Sequence, residues 1–247
     1  MMKRFSLLFA GLIVTALALA PGLAAAKLVE LGRTATPIAP PACPRGVAAA
    51  NCNIVLERIT ALQSSSDGVG YPTTVKQNGW LVSFTVGLSK LSSNASTERH
   101  YLHVLDVNYG GTPQLVITVL RPGRSHQFSV VAQSATFHLI PFLGQVLQQP
   151  LSLPPSFTQF TALPVKAGDV IALTIPTWAP VLSYNLTASK FAYRQSRMAN
   201  CGHPGGSQNA QLAVGAKTRY LCSYTGTRVQ YSATEVVNAP YPKKFVH

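Results

Sequence analysis

The clearest pattern in the chain is an alternation of apolar and polar residues over residues 80–88. One face of this segment collects the bulky apolar side chains of Trp80, Val82, Phe84, Val86 and Leu88. A period of two residues predicts a half-buried β-strand, here with Trp80 on the core side. The Asn-Gly pair at residues 78–79 is a strong turn signal just before it.

Similar apolar runs predict further strands at residues 54–62, 101–107, 114–120, 128–133, 170–175, 184–188, 190–194 and 227–237. Glycine and proline turns separate them, and residues 138–162 contain four prolines, which predicts a long proline-rich loop. No segment keeps a period of 3.6 residues between recognisable caps. The pattern therefore predicts an all-β fold: an antiparallel β-sandwich, jelly-roll-like, with long Pro-rich loops.

The N-terminus has the pattern of a secretory signal peptide. Lys3 and Arg4 precede an uncharged apolar run over residues 5–20, and three alanines at residues 24–26 form a small-residue cleavage site. The run is shorter than the roughly 20 residues that span a bilayer, although an uncleaved anchor is the alternative. We expect a signal peptide at residues 1–26, an irregular Pro/Ala-rich lead-in at 27–52 and a single β-domain at 53–247. The mature protein would be secreted to the extracellular space or cell surface, with no membrane span.

Four cysteines, at positions 43, 52, 201 and 222, predict disulfides in an exported chain. Three pairings are possible. Cys43–Cys52 with Cys201–Cys222 is favoured because each pair closes a short loop, whereas the rival pairings would tie the chain ends together. A zinc site using Cys201 and His203 is a further alternative, although that spacing matches no common ligand pattern.

Three segments resemble a group of uncharacterised secreted bacterial β-sandwich proteins: GWLVSFTV at residues 79–86, VLRPG at 119–123 and LPVKAGDVIAL at 163–173. The last segment also resembles an edge-turn-strand element of jelly-roll modules, some of which bind carbohydrate. The resemblance covers residues 54–237. It implies a β-sandwich and brings no catalytic residue with it.

Catalytic and metal-binding patterns are sparse. There is no Gly-x-Ser-x-Gly motif, and adjacent Ser125 and His126 do not form the usual catalytic pair. His100, His103 and Asp106 would share one face of a helix, but the predicted strand sends His103 to the opposite face from the other two. We therefore expect no metal site and no cofactor.

Carboxylates limit what hydrolytic chemistry the chain could perform. Of seven acidic residues, four fall in the lead-in, turns or loops, which leaves Glu57, Asp106 and Glu235. Glu235 occupies an apolar position of its predicted strand. A glycosidase needs two carboxyl groups about 5–10 Å apart, so a secreted polysaccharide hydrolase is the alternative function and not the leading one.

One tryptophan and an excess of basic residues favour a binding function over a catalytic one. Trp178 lies between Pro176 and Pro180, where a rigid loop could present its indole to a sugar; the alternative is that it packs on the core. The chain carries a net charge of +13, and from residue 190 onward eight basic residues face only one acid. This excess of positive charge favours binding of an anionic polymer; the alternative is that the charges are dispersed over the surface. No nucleic-acid-binding signature accompanies the excess. We predict a non-catalytic binding or structural module for carbohydrate or an anionic cell-surface polymer, with ligand-binding residues Trp178, Lys190, Arg194 and Arg197.

Overall fold

A computed structural model of the protein describes residues 26–41, 55–152, 161–202 and 209–238. Residues 1–25 of the predicted signal peptide and the predicted Cys43–Cys52 pair lie outside these ranges. The described residues are mostly β-strands in antiparallel sheets, with a curled half-barrel, which confirms the all-β prediction.

The described chain contains sixteen strands and one α-helix. In chain order the strands are β1 (Lys27–Leu31), β2 (Leu56–Ser66), β3 (Val69–Gly70), β4 (Gly79–Gly87), β5 (Gln114–Pro122), β6 (Gln127–Gln133), β7 (Phe137–His138), β8 (Val146–Pro150), β9 (Leu163–Val165), β10 (Val170–Ala179), β11 (Leu182–Ser183), β12 (Ala192–Gln195), β13 (Lys217–Arg219), β14 (Cys222–Thr225), β15 (Arg228–Val229) and β16 (Tyr231–Val237). The helix α1 (Ala95–Tyr109) lies between β4 and β5, and a 3-10 turn (Ile140–Phe142) lies between β7 and β8.

Two main sheets organise these strands. The smaller has the order β1-β16-β4-β8, with β9 also beside β4. The larger has the order β13-β6-β5-β10-β2-β12-β14, with β3 and β7 added beside β2 and β5. Strands β11 and β15 form a separate pair. Neighbours in space are mostly distant in sequence, so the fold depends on long-range pairing.

Apolar side chains form two clusters. The larger takes residues from both sheets, including Phe84, Ile117 and Tyr231. The smaller takes residues of the larger sheet alone, together with Tyr220 and nearby loop residues. Consecutive residues of β10 alternate between them, with Ile171 in the larger cluster and its neighbours in the smaller. Both faces of β10 are therefore buried, which explains its nearly continuous apolar sequence.

Strand β4 contains a bulge that changes which of its residues are fully buried. Thr234 of β16 pairs with Ser83 and Glu235 pairs with Leu81, so one residue of β4 is left over between them. An extra residue reverses the alternation on one side of the bulge. Leu81 consequently points into the core with no exposure, and Trp80 is half-buried. Trp80 therefore packs against the larger apolar cluster only as a partly buried residue, and the fully buried position that the prediction gives to it belongs to Leu81.

The predicted strand at residues 101–107 is also wrong, because α1 covers it. Asn94 caps the helix by accepting hydrogen bonds from the backbone N–H groups of Ser96 and Thr97, and Gly110 ends it in the left-handed conformation. No residue of α1 is fully buried, but its half-buried residues, among them Leu102, Leu105 and Tyr109, recur at the three- and four-residue spacing of one helix face. The 3.6-residue pattern is hard to recognise in the sequence, because Val104 and Val107 are exposed on the other side of the helix.

Three smaller expectations also differ from the structure. Lys27–Leu31 forms β1 and pairs with β16, although the lead-in is predicted to be irregular. Residues 184–188 form no strand, and strands β11 and β12 lie on either side of them. The predicted loop at 138–162 contains β8, which pairs with β4.

The predicted Cys201–Cys222 disulfide is confirmed. It joins the segment that follows β12 to the first residue of β14. Its formation excludes Cys201 as a free thiolate ligand for zinc. Across the residues that the structure describes, no helix combines the length and the apolar character required to span a membrane.

Candidate functional site

Trp178 is fully buried in β10, although the sequence predicts it in an exposed loop. Its indole Nε1 donates to Asp106 Oδ1 at 3.0 Å and to the Gly111 carbonyl at 3.1 Å, which fastens the end of α1 to the sheet. Strand β10 continues past Pro176 because its register shifts after Ile175, and a proline is tolerated at such an irregularity. A buried indole has no free face for a sugar, so the predicted placement of Trp178 is wrong.

The three predicted cations differ in exposure. Lys190 is exposed, whereas Arg194 is half-buried and donates to the Tyr220 carbonyl at 3.0 Å. Arg197 is buried, and its guanidinium lies 3.9 Å from the Glu57 carboxyl. The four predicted ligand residues therefore do not form one exposed surface.

The three candidate carboxyls have separate surroundings. Asp106 accepts from the Trp178 indole, and Glu57 faces the guanidinium of Arg197. Glu235 is 1% exposed and lies so close to Gly79 that a Cβ atom there would be 2.8 Å from Glu235 Oε1. Burial raises the pKa of both Glu57 and Glu235 to about 7.

The helix does bring the predicted trio of His100, His103 and Asp106 onto one element. Asp106 is nevertheless occupied by the hydrogen bond from Trp178. Among the described residues, no group of three or more His, Cys, Asp or Glu side chains could hold a metal ion.

A cleft lies where the segment after β1 crosses the smaller sheet. Its wall is the chain over residues 33–38, which the turn between β2 and β3 fixes in place. Asp67 of that turn accepts hydrogen bonds from the Thr36 backbone N–H and from the Thr36 hydroxyl, both at 2.7 Å. Hydrogen bonds from Thr34 and Thr36 hold the pKa of Asp67 below its usual range. The carboxylate therefore keeps the wall in position at neutral pH.

Arg228 supports the same wall from the opposite side. Its Nη1 atom donates to the Thr36 carbonyl at 2.9 Å and to the Pro37 carbonyl at 3.4 Å. The residue is 1% exposed, and burial lowers the pKa of its guanidinium. Its guanidinium carbon lies 6.0 Å from the centre of the Phe191 ring, within the range of a cation–π contact.

The resulting space, the Arg33–Arg228 cleft, has a volume of about 450 Å³. This volume lies within the range of about 300–1,000 Å³ that small-molecule sites occupy. Its charged lining residues are Arg33, Arg228 and Glu30. Four hydroxyl side chains also line it: Thr34, Thr36, Thr85 and Ser232. The cleft thus offers a positive charge excess together with many groups that can donate or accept hydrogen bonds.

Lys190 does not line the cleft, but its backbone contacts the turn that fixes the cleft wall. Its carbonyl accepts from Gly68 N at 3.0 Å and from Ser65 Oγ at 3.0 Å. Gly68 belongs to the same turn as Asp67, which fixes the cleft wall. The backbone of Lys190 therefore supports the turn that shapes the cleft, and the residue itself is exposed.

The chain matches no protein-family model, and no curated protein or solved structure is similar enough to it to count as a match. The contacts and charges of the cleft therefore carry the functional inference.

Sequence reasoning missed the main residues of the cleft. Arg33 falls in the predicted irregular lead-in, and Arg228 is only one of many cations in the basic C-terminal region. The one local signal is the Arg-Thr-Ala-Thr run at residues 33–36, which places a cation beside two hydroxyls. This short run is too common to identify a site, and it is the pairing of distant segments that assembles the cleft.

Proposed function

We propose that this protein is a secreted, non-catalytic binding module of the cell surface or extracellular space, and that the Arg33–Arg228 cleft binds an acidic glycan. The observation that carries the proposal is the lining of the cleft, in which two guanidinium groups and four hydroxyl side chains surround one space. Guanidinium groups suit the carboxylates of acidic sugars, because they can donate two parallel hydrogen bonds to one carboxylate.

The composition of the cleft also favours a sugar over a simple inorganic anion. Threonine and serine hydroxyls can both donate to and accept from sugar hydroxyls. Arg33 is exposed and can turn toward a ligand, whereas Arg228 is already fixed by two carbonyls. The guanidinium of Arg33 is therefore the one that can pair with a ligand carboxylate. Arg228 mainly shapes the cleft and contributes a fixed positive charge.

The proposal also includes a more specific fold and a cellular location. We propose that the two antiparallel sheets form a jelly-roll-like β-sandwich, which the mixed membership of the larger apolar cluster supports. Secretion is supported by the leader pattern and is compatible with the Cys201–Cys222 disulfide.

The test is a binding measurement with polygalacturonate as the acidic glycan and dextran as the neutral one. We expect the protein to bind polygalacturonate only, and Arg33→Gln to weaken this binding by about tenfold, as loss of one charge-assisted hydrogen bond predicts. The affinity should also fall as salt is added, because exposed charges are screened over about 8–10 Å at physiological ionic strength.

The matched control is Arg124→Gln, which removes the same charge from the exposed turn between β5 and β6. Arg124→Gln should leave binding almost unchanged if the cleft is the site. Equal losses in the two variants would instead mean that binding follows net charge, and equal binding of dextran would contradict the role of the guanidinium groups.

A secreted polysaccharide hydrolase is the second candidate, and one observation favours it. Burial raises the pKa of Glu57 to about 7, so part of the population carries a proton near neutral pH, as a general acid requires. Release of reducing ends from a polysaccharide that is lost in Glu57→Gln would support this function. Binding of polygalacturonate without any release of reducing ends would support the non-catalytic module.

A further inference from the structure

A second pocket lies at one end of the larger sheet, where β5 ends and β6 and β10 begin. It has a volume of about 280 Å³, and we call it the Tyr71 pocket. Three segments enclose it: residues 71–74 ahead of β4, the turn between β5 and β6, and the turn between β9 and β10. Its aromatic and apolar lining residues are Tyr71, Pro122, His126, Phe128 and Val170.

The floor of the Tyr71 pocket is apolar. Phe128 and Val170 belong to the smaller apolar cluster, and Tyr71 packs against that cluster as a partly buried residue. Pro122, which is exposed, adds a further apolar surface beside them. The smaller cluster therefore reaches the surface at this pocket, and an apolar group that entered it would leave water, which is favourable.

Hydrogen bonds hold two of the lining residues in an uncommon backbone conformation. Tyr71 has a positive φ of 45°, which is rare for a bulky residue. Its N–H donates to the Ser64 carbonyl at 3.0 Å, and its carbonyl accepts from the N–H and the hydroxyl of Thr74, at 3.0 and 2.8 Å. His126 has a positive φ of 57°, and its carbonyl accepts from the Tyr220 N–H at 2.9 Å. The pocket is thus shaped before any ligand arrives, which lowers the ordering cost of binding.

An ion pair joins the two turns that enclose the pocket. Leu120 of β5 pairs with Val170 of β10, so the end of β5 lies beside the start of β10. Arg121 then donates from Nε and Nη2 to the two carboxylate oxygens of Asp169, at 2.9 and 3.1 Å. Such a two-point contact fixes the separation of the turns, and it also uses the negative charge of Asp169.

The surroundings of the pocket are positively charged. Residues 71–76, 121–128 and 166–170, which enclose it, contain four basic residues besides His126 and one acidic residue, Asp169. Asp169 is buried and paired with Arg121, which leaves one exposed cation on each segment: Lys76, Arg124 and Lys166. We call these three residues the rim. Their side chains make no hydrogen bond or ion pair with the residues that the structure describes, so their charges are available to a ligand.

An apolar floor below three cations favours a ligand that has an apolar body and an anionic head. A neutral apolar ligand would leave the cations unused, and a small inorganic anion would leave the floor unused. The pocket is just smaller than the range of about 300–1,000 Å³ that drug-sized ligands occupy, so one short acyl chain fits it and a larger body does not.

From this geometry we propose that the Tyr71 pocket binds a free fatty acid of short or medium chain length. The acyl chain lies on the floor formed by Phe128 and Val170, and the carboxylate meets the cations of the rim. No residue lines both this pocket and the Arg33–Arg228 cleft. A glycan of acidic sugars has no acyl chain for the floor, so the two sites take different ligands.

The experiment titrates the full-length mature protein by calorimetry at pH 7.5 with octanoate, hexanoate, acetate and octyl glucoside. The affinity should rise about fourfold for each CH₂ group from hexanoate to octanoate, which is the gain from burying one such group. Acetate has the charge without the chain, and octyl glucoside has the chain without the charge, so both should bind far more weakly than octanoate. Equal binding of octyl glucoside and octanoate, equal binding of hexanoate and octanoate, or no binding of octanoate would each overturn the proposal.

A triple variant tests the rim. Replacing Lys76, Arg124 and Lys166 together by Gln should weaken the binding of octanoate by about tenfold, the combined effect of three exposed ion pairs. The matched control replaces three exposed cations near the other end of β10 by Gln, namely Arg58, Lys90 and Arg99. It removes the same net charge and should change the affinity by less than about twofold, because distant charges are screened. Equal losses in the two triple variants would mean that binding follows net charge, which refutes the site.

Tyr71→Asn tests the aromatic wall. Asparagine tolerates the left-handed region, so this variant keeps the backbone conformation and removes the ring. The binding of octanoate should weaken by about fivefold, as expected for loss of one aromatic contact, at a melting temperature near that of the wild type. If Tyr71→Asn does not fold, the rim variants decide, since their residues are exposed. Loss of octanoate binding in Arg33→Gln, with unchanged binding in the rim variant, would place the acid in the Arg33–Arg228 cleft and refute the Tyr71 pocket.

Discussion

At the scale of single residues, Glu235 is the most unusual group in the fold. It occupies a core-facing position of β16 with 1% exposure, and its Oε1 atom has no hydrogen-bond donor among the described residues. Gly79 of the neighbouring strand leaves the space that this carboxyl fills. Burial disfavours the charged form of a carboxyl, so it raises the pKa of Glu235 from 4.5 to about 7.

This shift predicts that Glu235 makes stability depend on pH. Because the folded-state pKa is raised, its contribution is fully present below about pH 4.5 and is lost as the pH rises through about 7. The loss is on the order of 3 kcal/mol, since one pKa unit corresponds to about 1.4 kcal/mol. Urea unfolding at pH 4.5 and pH 8 should show a pH-dependent loss that is smaller by about this amount in Glu235→Gln, which keeps the shape and removes the charge, than in the wild type. Glu57, whose pKa is also raised to about 7, contributes the same loss to both proteins.

Glu30→Gln is the control for this prediction, because Glu30 is an exposed carboxyl on the adjacent strand β1. Its variant should keep the pH dependence of the wild type. If Glu235→Gln showed the same pH dependence as Glu30→Gln, the proton linkage would come from other groups.

At the scale of elements, irregularities in two strands determine how deeply the two tryptophans are buried. The bulge in β4 gives the fully buried position to Leu81 and leaves Trp80 partly buried against the larger cluster, whereas Trp178 lies within β10, whose register shifts, and is fully buried. Neither shift is visible in the sequence, because an extra residue in a strand depends on which partner strand lies beside it. The alternation of apolar and polar residues predicts burial correctly on one side of the bulge, at Phe84 and Val86, and overestimates the burial of Trp80 on the other side.

The unequal burial of Trp178 and Trp80 predicts that removal of their indoles has unequal effects on stability. Trp178→Ala should lower the free energy of unfolding by about 3–5 kcal/mol, because it empties a fully buried site and also removes two hydrogen bonds. Trp80→Ala should cost about 1–2 kcal/mol, since its side chain already keeps part of its surface in water. Chemical unfolding of both variants tests the order, and a larger loss for Trp80→Ala would contradict the bulge.

Helix α1 shows which signals the sequence did contain. Asn94 and Gly110 are good cap residues at the two ends of a 15-residue segment, and they could have identified the helix without any apolar period. The strand prediction gave weight to the apolar residues of 101–107 and ignored the caps. The half-buried face of the helix mixes apolar residues with polar ones such as Asp106, which accepts from Trp178, and exposed Val104 and Val107 lie off that face, so the helical period is weak in the sequence.

At the scale of the whole molecule, the Cys201–Cys222 disulfide closes a loop with a sequence separation of 21 residues. Chain-entropy arguments give such a loop a stabilisation of about 3 kcal/mol. The double variant Cys201→Ser with Cys222→Ser should therefore lower the free energy of unfolding by about this amount in urea. Reduction of the wild type should approach the same value, and no change in either sample would mean that the loop is fixed by its hydrogen bonds alone.

The general architecture was predictable from the sequence and the candidate site was not. Turn signals and short apolar runs depend on neighbouring residues, so they correctly indicate an antiparallel all-β protein and a local Cys201–Cys222 pair. Exposure depends on what packs against a residue from elsewhere in the chain. Arg197 and Arg228 are both buried, although arginine is rarely so, because distant carbonyls and a carboxyl surround them. None of the four predicted ligand residues lines the proposed cleft.

Within the described residues, the larger sheet ends on two short strands, β13 with three residues and β14 with four. Strand β13 reads Lys-Thr-Arg, and its two cations are exposed. A second copy that approached this edge would gain only a few backbone hydrogen bonds and would bring like charges together. The edge therefore resists the strand-by-strand growth from which β-proteins aggregate, and it does so with the same positive charge that would draw an anionic polymer toward the molecule.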